Sequence, residues 1–156
     1  MLAALTELPP IQAVSALRGL LIRPGDDYWH RHADFGQPLR SPQAVLGAER
    51  ASDLVVNVIL PWAVARARQP GHAALETAAI TAYTVHPALG LNQITRHMAP
   101  QLLGLGAAHL LKRACLQQGL IQLYQGWCDA RDCAMCPAGH GMVELGAKPP
   151  DPWGAP

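Results

Sequence analysis

Cys128, Cys133, Cys136 and His140 fall within one short stretch, "CDARDCAMCPAGHG", spaced C-x4-C-x2-C-x3-H. Intervals this short let neighbouring side chains turn inward on a single tetrahedral ion, and three thiolates with one imidazole are an established ligand set for structural zinc. Gly139 and Gly141 permit tight turns, and Pro137 stiffens the chain behind the third cysteine. Four protein ligands leave no position open to water, and no Glu stands where a general base would be needed. The chemistry expected is therefore structural rather than catalytic. The fourth thiol, Cys115, precedes Cys128 by 13 residues. On a continuous helix that is roughly 20 Å, beyond any shared ion, which makes Cys115 a buried apolar side chain. A break at Gln118–Gly119 would bring it back as a ligand. Three close cysteines and one distant one also suit a [2Fe–2S] cluster, though in a different chain order from the plant-type pattern. Zinc is thus the expected cofactor and an iron–sulfur cluster the alternative. The fourth ligand is left open among His140, Cys115 and a donor from another chain.

Two further constellations call for comment. In "YWHRHADF", His30, His32 and Asp34 alternate and would face one way on an extended chain, a geometry open to a second metal or a substrate. The plainer reading, preferred here, is a packed plug. In it Tyr28, Trp29 and Phe35 anchor the loop on the helices, and Asp34 pairs with Arg31 or a histidine. Arg96-His97 and Lys112-Arg113 could line a groove for an acidic partner, but charges on helix faces usually meet solvent. No nucleotide-binding loop, nucleophile elbow or carboxylate pair of a hydrolase is present.

The elements that must position these residues follow from composition and spacing. Half of the chain is apolar and 15% is charged, a balance that folds, and 156 residues suffice for one domain. Twelve Lys and Arg against eleven Asp and Glu give a formal charge of +1, which supplies no global field for nucleic acid. The first eight residues lack a secretory signal, so the expected compartment is the cytoplasm, with thiols rather than disulfides. The most apolar run, "LVVNVILPWAVA", is too short to cross a bilayer, which takes about 20 residues, and reads as a buried helix.

After Pro9-Pro10, the spacing of Ile11, Val14, Leu17, Leu20 and Leu21 predicts an amphipathic helix. Residues 28–40 read as a long ordered loop. Ser41-Pro42 is a helix-start signal, predicting a helix to about Gln69 that Pro61 kinks, with the Asn57 amide bonding backbone freed by the kink. The segment "PGHAALETAAITAYTVH" predicts an Ala-rich helix ending at His86-Pro87. Asn92 should cap the next segment, and Pro100 should open a long helix to Cys128, with Gly104, Gly106 and Gly119 as points of close crossing or a break. No strand pattern or repeat stands out. The fold expected is all-α, a small helical bundle forming one domain over 1–145, with a Cys-rich metal-binding knuckle at 128–141 and a Pro-rich extended tail at 146–156.

The segments "RASDLVVNVILPWAVA", "GLNQITRHM" and above all "QQGLIQLYQGWCDARDCAMCPAG" resemble the C-terminal region of the bacterial domain-of-unknown-function family 2851. The likeness runs from about "DYWHRHADFG" to "CPAG", and its last motif is the specific one. That family brings no established activity. The resemblance implies that longer members carry an upstream β-containing region similar to a PD-(D/E)xK nuclease core, which this chain lacks. By analogy, three close cysteines in some nucleases of that class help to staple an iron–sulfur cluster. The resulting expectation is a cytoplasmic, non-enzymatic helical module with one structural metal, serving an upstream domain or a partner protein, with no membrane contact. The alternatives are a component of a nucleic-acid-processing enzyme and an iron–sulfur redox protein.

Overall fold

The computed structural model describes residues 2–25, 28–69, 72–104, 106–133 and 135–138. The chain gathers into two compact units, 1–89 and 90–156, and each is described by itself. Most of the described residues are helical, as composition and periodicity predict, with two short β-ribbons added.

In the first unit, α1 (Leu2–Glu7) precedes the Pro9-Pro10 break and α2 (Pro10–Leu21) follows it. Pro10 opens α2 because a first-turn residue has no intrahelical partner for its N–H. The buried face of α2 is Ala13, Val14 and Leu17, while Ile11 and Leu20 are half exposed, so the inward stripe is narrower than the apolar spacing predicts. Two antiparallel ribbons come next: β1 (Arg23–Pro24) pairs with β4 (Ala44–Leu46), and β2 (His32–Asp34) pairs with β3 (Gln37–Pro38). These correct two expectations. Residues 28–40 form a hairpin rather than a plain loop, and the helix start at Ser41-Pro42 is overridden because 44–46 extend to pair with β1. Gln43 N–H donating to His30 O at 2.9 Å ties the two ribbons together. Two glycines are needed here. Gly36 takes φ +71° at the hairpin turn, and a Cβ on Gly25 would lie 2.5 Å from the backbone nitrogen of His30.

The helix instead starts at Gly47, as α3 (Ala48–Leu54), and widens into a π-helical turn, Val55–Ile59, before α4 (Leu60–Ala67). Pro61 accounts for the widening. It offers no N–H to Asn57 O and its ring crowds that carbonyl, and the helix accommodates it with i→i+5 bonding such as Leu60 N–H to Val55 O. The Asn57 amide donates to Asp53 O at 2.9 Å, the backbone role its position predicts. Helix α5 (Ala73–Val85) ends before His86-Pro87 as expected and packs on α1, α2 and α4. The core joins Val14 and Leu17 to Val55, Leu60, Ala63, Leu75, Ala79 and Ala82, the alanines allowing close approach of the helices.

In the second unit, α6 (Gln93–Leu103) begins with a reciprocal cap: Asn92 Oδ1 accepts from Thr95 N–H at 2.8 Å, and Thr95 Oγ1 accepts from Asn92 N–H at 3.0 Å. Asn92→Ala should cost about 1 kcal/mol in urea unfolding. A midpoint matching that of wild type would show the cap to be idle. Pro100 lies inside α6 rather than opening a helix, and the predicted long helix is broken where Gly104 and Gly106 take φ +88° and +81°. A short 3₁₀ turn (Ala107–Leu110) leads to α7 (Ala114–Leu123), which continues as a second π-helical turn, Tyr124–Cys128. Met98, Ala99, Leu111 and Leu120 form this unit's core. No helix among the described residues is long and apolar enough to cross a membrane.

Candidate metal centre

Helix α7 and the π turn together carry the chain from Cys115 to Cys128 without the break that would let both reach one ion. Gly119 stays helical. Cys115 sits in the first turn of α7, roughly 20 Å up the helix from Cys128 at about 1.5 Å per residue.

Cys128 ends the π turn half-buried against the core of α6 and α7. The chain then reverses. Asp129 N–H reaches Tyr124 O at 2.9 Å, Arg131 N–H reaches Cys128 O at 3.0 Å, and Asp132 N–H reaches Trp127 O at 2.9 Å. The reversal places Arg131 at φ +57°, the one non-glycine residue in the left-handed region among those described. That conformation costs an L-residue with a Cβ roughly 1–2 kcal/mol, and with the Arg131-to-Cys128 and Asp132-to-Trp127 bonds it forms the left-handed cap that commonly ends a helix. Beyond it, Cys133 is half-buried and Cys136 is 5% exposed.

Cys133 and Cys136 lie within electrostatic range of Cys128. Burial pushes the Cys128 thiol above its ordinary range, and negative charge on Cys136 and Cys133 pushes it further. A raised thiol is the opposite of an activated nucleophile, so Cys128 is unsuited to thiolate attack. A bound cation would reverse the balance, because it stabilises the thiolates that repel one another in its absence. No disulfide joins the four cysteines. Among the described residues, no three His, Cys, Asp or Glu side chains form a group that could hold a metal ion as they stand. His140 lies outside the described residues, as do the rest of the knuckle beyond Ala138 and the tail at 146–156.

The other constellations do not assemble. His30 Nδ1 bonds Gln43 O at 3.0 Å, His32 Nδ1 bonds Tyr28 O at 2.9 Å, and Asp34 accepts from Phe35 N–H at 2.8 Å, so each is committed to nearby backbone. The aromatics pack on one another rather than plugging the helices. The Tyr28 and His32 rings stack at 4.0 Å, and Phe35 stays 77% exposed. Asp34 does not take the pairing with Arg31 or histidine that the plug predicts. Arg96 is exposed on α6, whereas Lys112 and Arg113 are exposed in the link before α7 rather than on a helix face.

One group escapes sequence reasoning. His86, at the end of α5, is 2% exposed, its Nδ1–H donates to Pro87 O at 2.7 Å, and its buried Nε2 has no hydrogen-bond partner among the described residues. In sequence it signals only a helix end, since a lone histidine before proline carries no sign of burial. Burial holds its pKa below the usual 6.5; the Pro87 carbonyl works against this and the Arg18 charge adds to it. The native state therefore binds fewer protons there than the unfolded chain. The resulting stability is fully present above about pH 6.5 and is lost as pH falls below it toward the folded-state value. Urea midpoints for wild type and His86→Gln between pH 5 and 8 should converge toward the acid end. Parallel pH profiles would show that His86 contributes nothing to acid sensitivity.

The described residues are mostly helical, and no disulfide joins the four cysteines. The chain belongs to the family described as a protein of unknown function, DUF2851, which matches residues 3–88, more than half of its length. The matched span covers the first unit up to Ala88 and leaves Cys128, Cys133 and Cys136 outside it. No curated protein and no solved structure matches the chain.

Proposed function

We propose that the chain is a non-catalytic helical module in which Cys128, Cys133 and Cys136, with His140 as the fourth ligand, bind one structural zinc ion. The observation that supports this reading is that Cys133 and Cys136, which follow the turn after Cys128, lie near enough to Cys128 for their charge to act on its thiol. Three clustered thiols are the donor type zinc prefers, and binding would draw them the remaining distance inward, because metal binding and local ordering share one free energy. The module's role is support, for a partner or for an upstream domain such as the nuclease-like core implied for longer relatives.

The test is elemental analysis with an ultraviolet–visible spectrum on protein purified without oxygen, comparing wild type with Cys133→Ser. One zinc per chain, lost in the variant, is expected. Iron with a spectrum bleached by dithionite would replace the structural zinc with a cluster, and metal-free wild type would sink the site.

A further inference from the structure

Among the described residues, two apolar features of the first unit stay open, and they are complementary. The first is Phe35 at the β2–β3 turn, 77% exposed yet firmly held. Asp34 Oδ1 accepts its N–H at 2.8 Å, Gly36 N–H donates to Tyr28 Oη at 2.8 Å, and the Trp29 ring braces it edge-on at 5.1 Å. An exposed Phe forgoes the free energy of burying its ring, and here the ordering cost is already met within the hairpin. Pre-ordered aromatics of this kind make interface anchors.

The second is a groove of about 310 Å³ between α4 and α5, lined by Leu60, Pro61, Val64, Ile80 and Tyr83, with Arg68 also on its wall. An apolar cavity of roughly 150 Å³ takes a benzene ring, so this groove admits a phenyl group with a neighbouring side chain. The charges match as well. The Asp34 carboxylate stands beside the knob, and the Arg68 side chain is 71% exposed, in a long 3.4 Å pair with Glu76 that a closer carboxylate can displace.

We propose that the Phe35 knob of one copy seats in the α4–α5 groove of a second copy, with Asp34 facing Arg68. Knob and groove are different patches of one unit, so the contact is head-to-tail. A single anchor covers far less than the roughly 1,200 Å² of a standard interface, so association is weak and reversible. It is independent of the metal reading, whose residues lie in the other unit.

Sedimentation velocity on the full chain over a roughly hundredfold concentration range tests it. Wild type should sediment faster as concentration rises. Phe35→Ala and Ile80→Asp should each weaken association at least roughly tenfold, the loss expected from removing one buried apolar anchor. Mixed in equal amounts, they should form a dimer and nothing larger, because one retains the groove and the other the knob. Ile80 is 46% exposed, and Ile80→Ser is the gentler variant if circular dichroism shows the aspartate unfolding the chain. A wild type monomeric throughout, variants that associate like wild type, or a mixture that stays monomeric would each overturn the pairing.

Discussion

Stripping zinc from the loaded protein with a strong chelator should abolish hydrogen-exchange protection of the amides between Tyr124 and Cys136, by on the order of a hundredfold or more, while leaving α2, α4 and α5 unchanged. The size follows from the scale of structural zinc sites, whose apparent binding free energies reach about 10–16 kcal/mol in zinc-finger peptides at neutral pH. The location follows from the turn. Its backbone bonds run only to Asp132, so the segment that carries Cys133 and Cys136 lies beyond them. Cys136→Ser should reproduce the chelated state without chelator. Because thiols must lose protons to bind, protection should also fall with pH even at constant zinc. Exchange in this segment that ignores both chelator and Cys136→Ser would refute the metal site, whatever the fate of the knob and groove.

A second large effect is expected at Leu17. It is fully buried against the core shared by α2, α5, the π turn and α4, so Leu17→Ala should destabilise the chain by about 2–5 kcal/mol, from lost transfer free energy and the cavity left behind. Leu20, one turn later and 49% exposed, should change stability by about 0.5 kcal/mol or less when truncated in the same way. Urea unfolding of the two variants side by side decides it, and similar losses would mean that the buried face of α2 is misplaced. The contrast is informative because both leucines belong to one apolar repeat. Periodicity marks a stripe about the helix, and the packing partners choose which edge of it goes inward.

The same division holds across the molecule. Local chemistry was readable wherever a single residue dictates its own backbone. Asn92 caps α6, His86-Pro87 ends α5, and Pro61 distorts its helix, because caps and prolines act within one turn of themselves. Helical class was readable for the same reason, from composition and period. The continuity of α7 into Cys128 sets Cys115 apart from the other three cysteines, a choice that spacing alone left open. What tertiary structure decided were the choices between locally similar options. Residues 44–46 carry a valid helix-start signal two residues upstream, yet they extend, because pairing with Arg23–Pro24 offers hydrogen bonds that no neighbour along the chain could announce. Phe35 reads as an anchor and stands exposed, because Tyr28, Trp29 and the hairpin turn fix its ring away from the helices. His86 is buried, and burial together with the Arg18 charge from α2 sets the cost of protonating it. Sequence determines what each turn of chain can do alone, whereas burial and pairing depend on which distant surfaces arrive, a property of the whole fold.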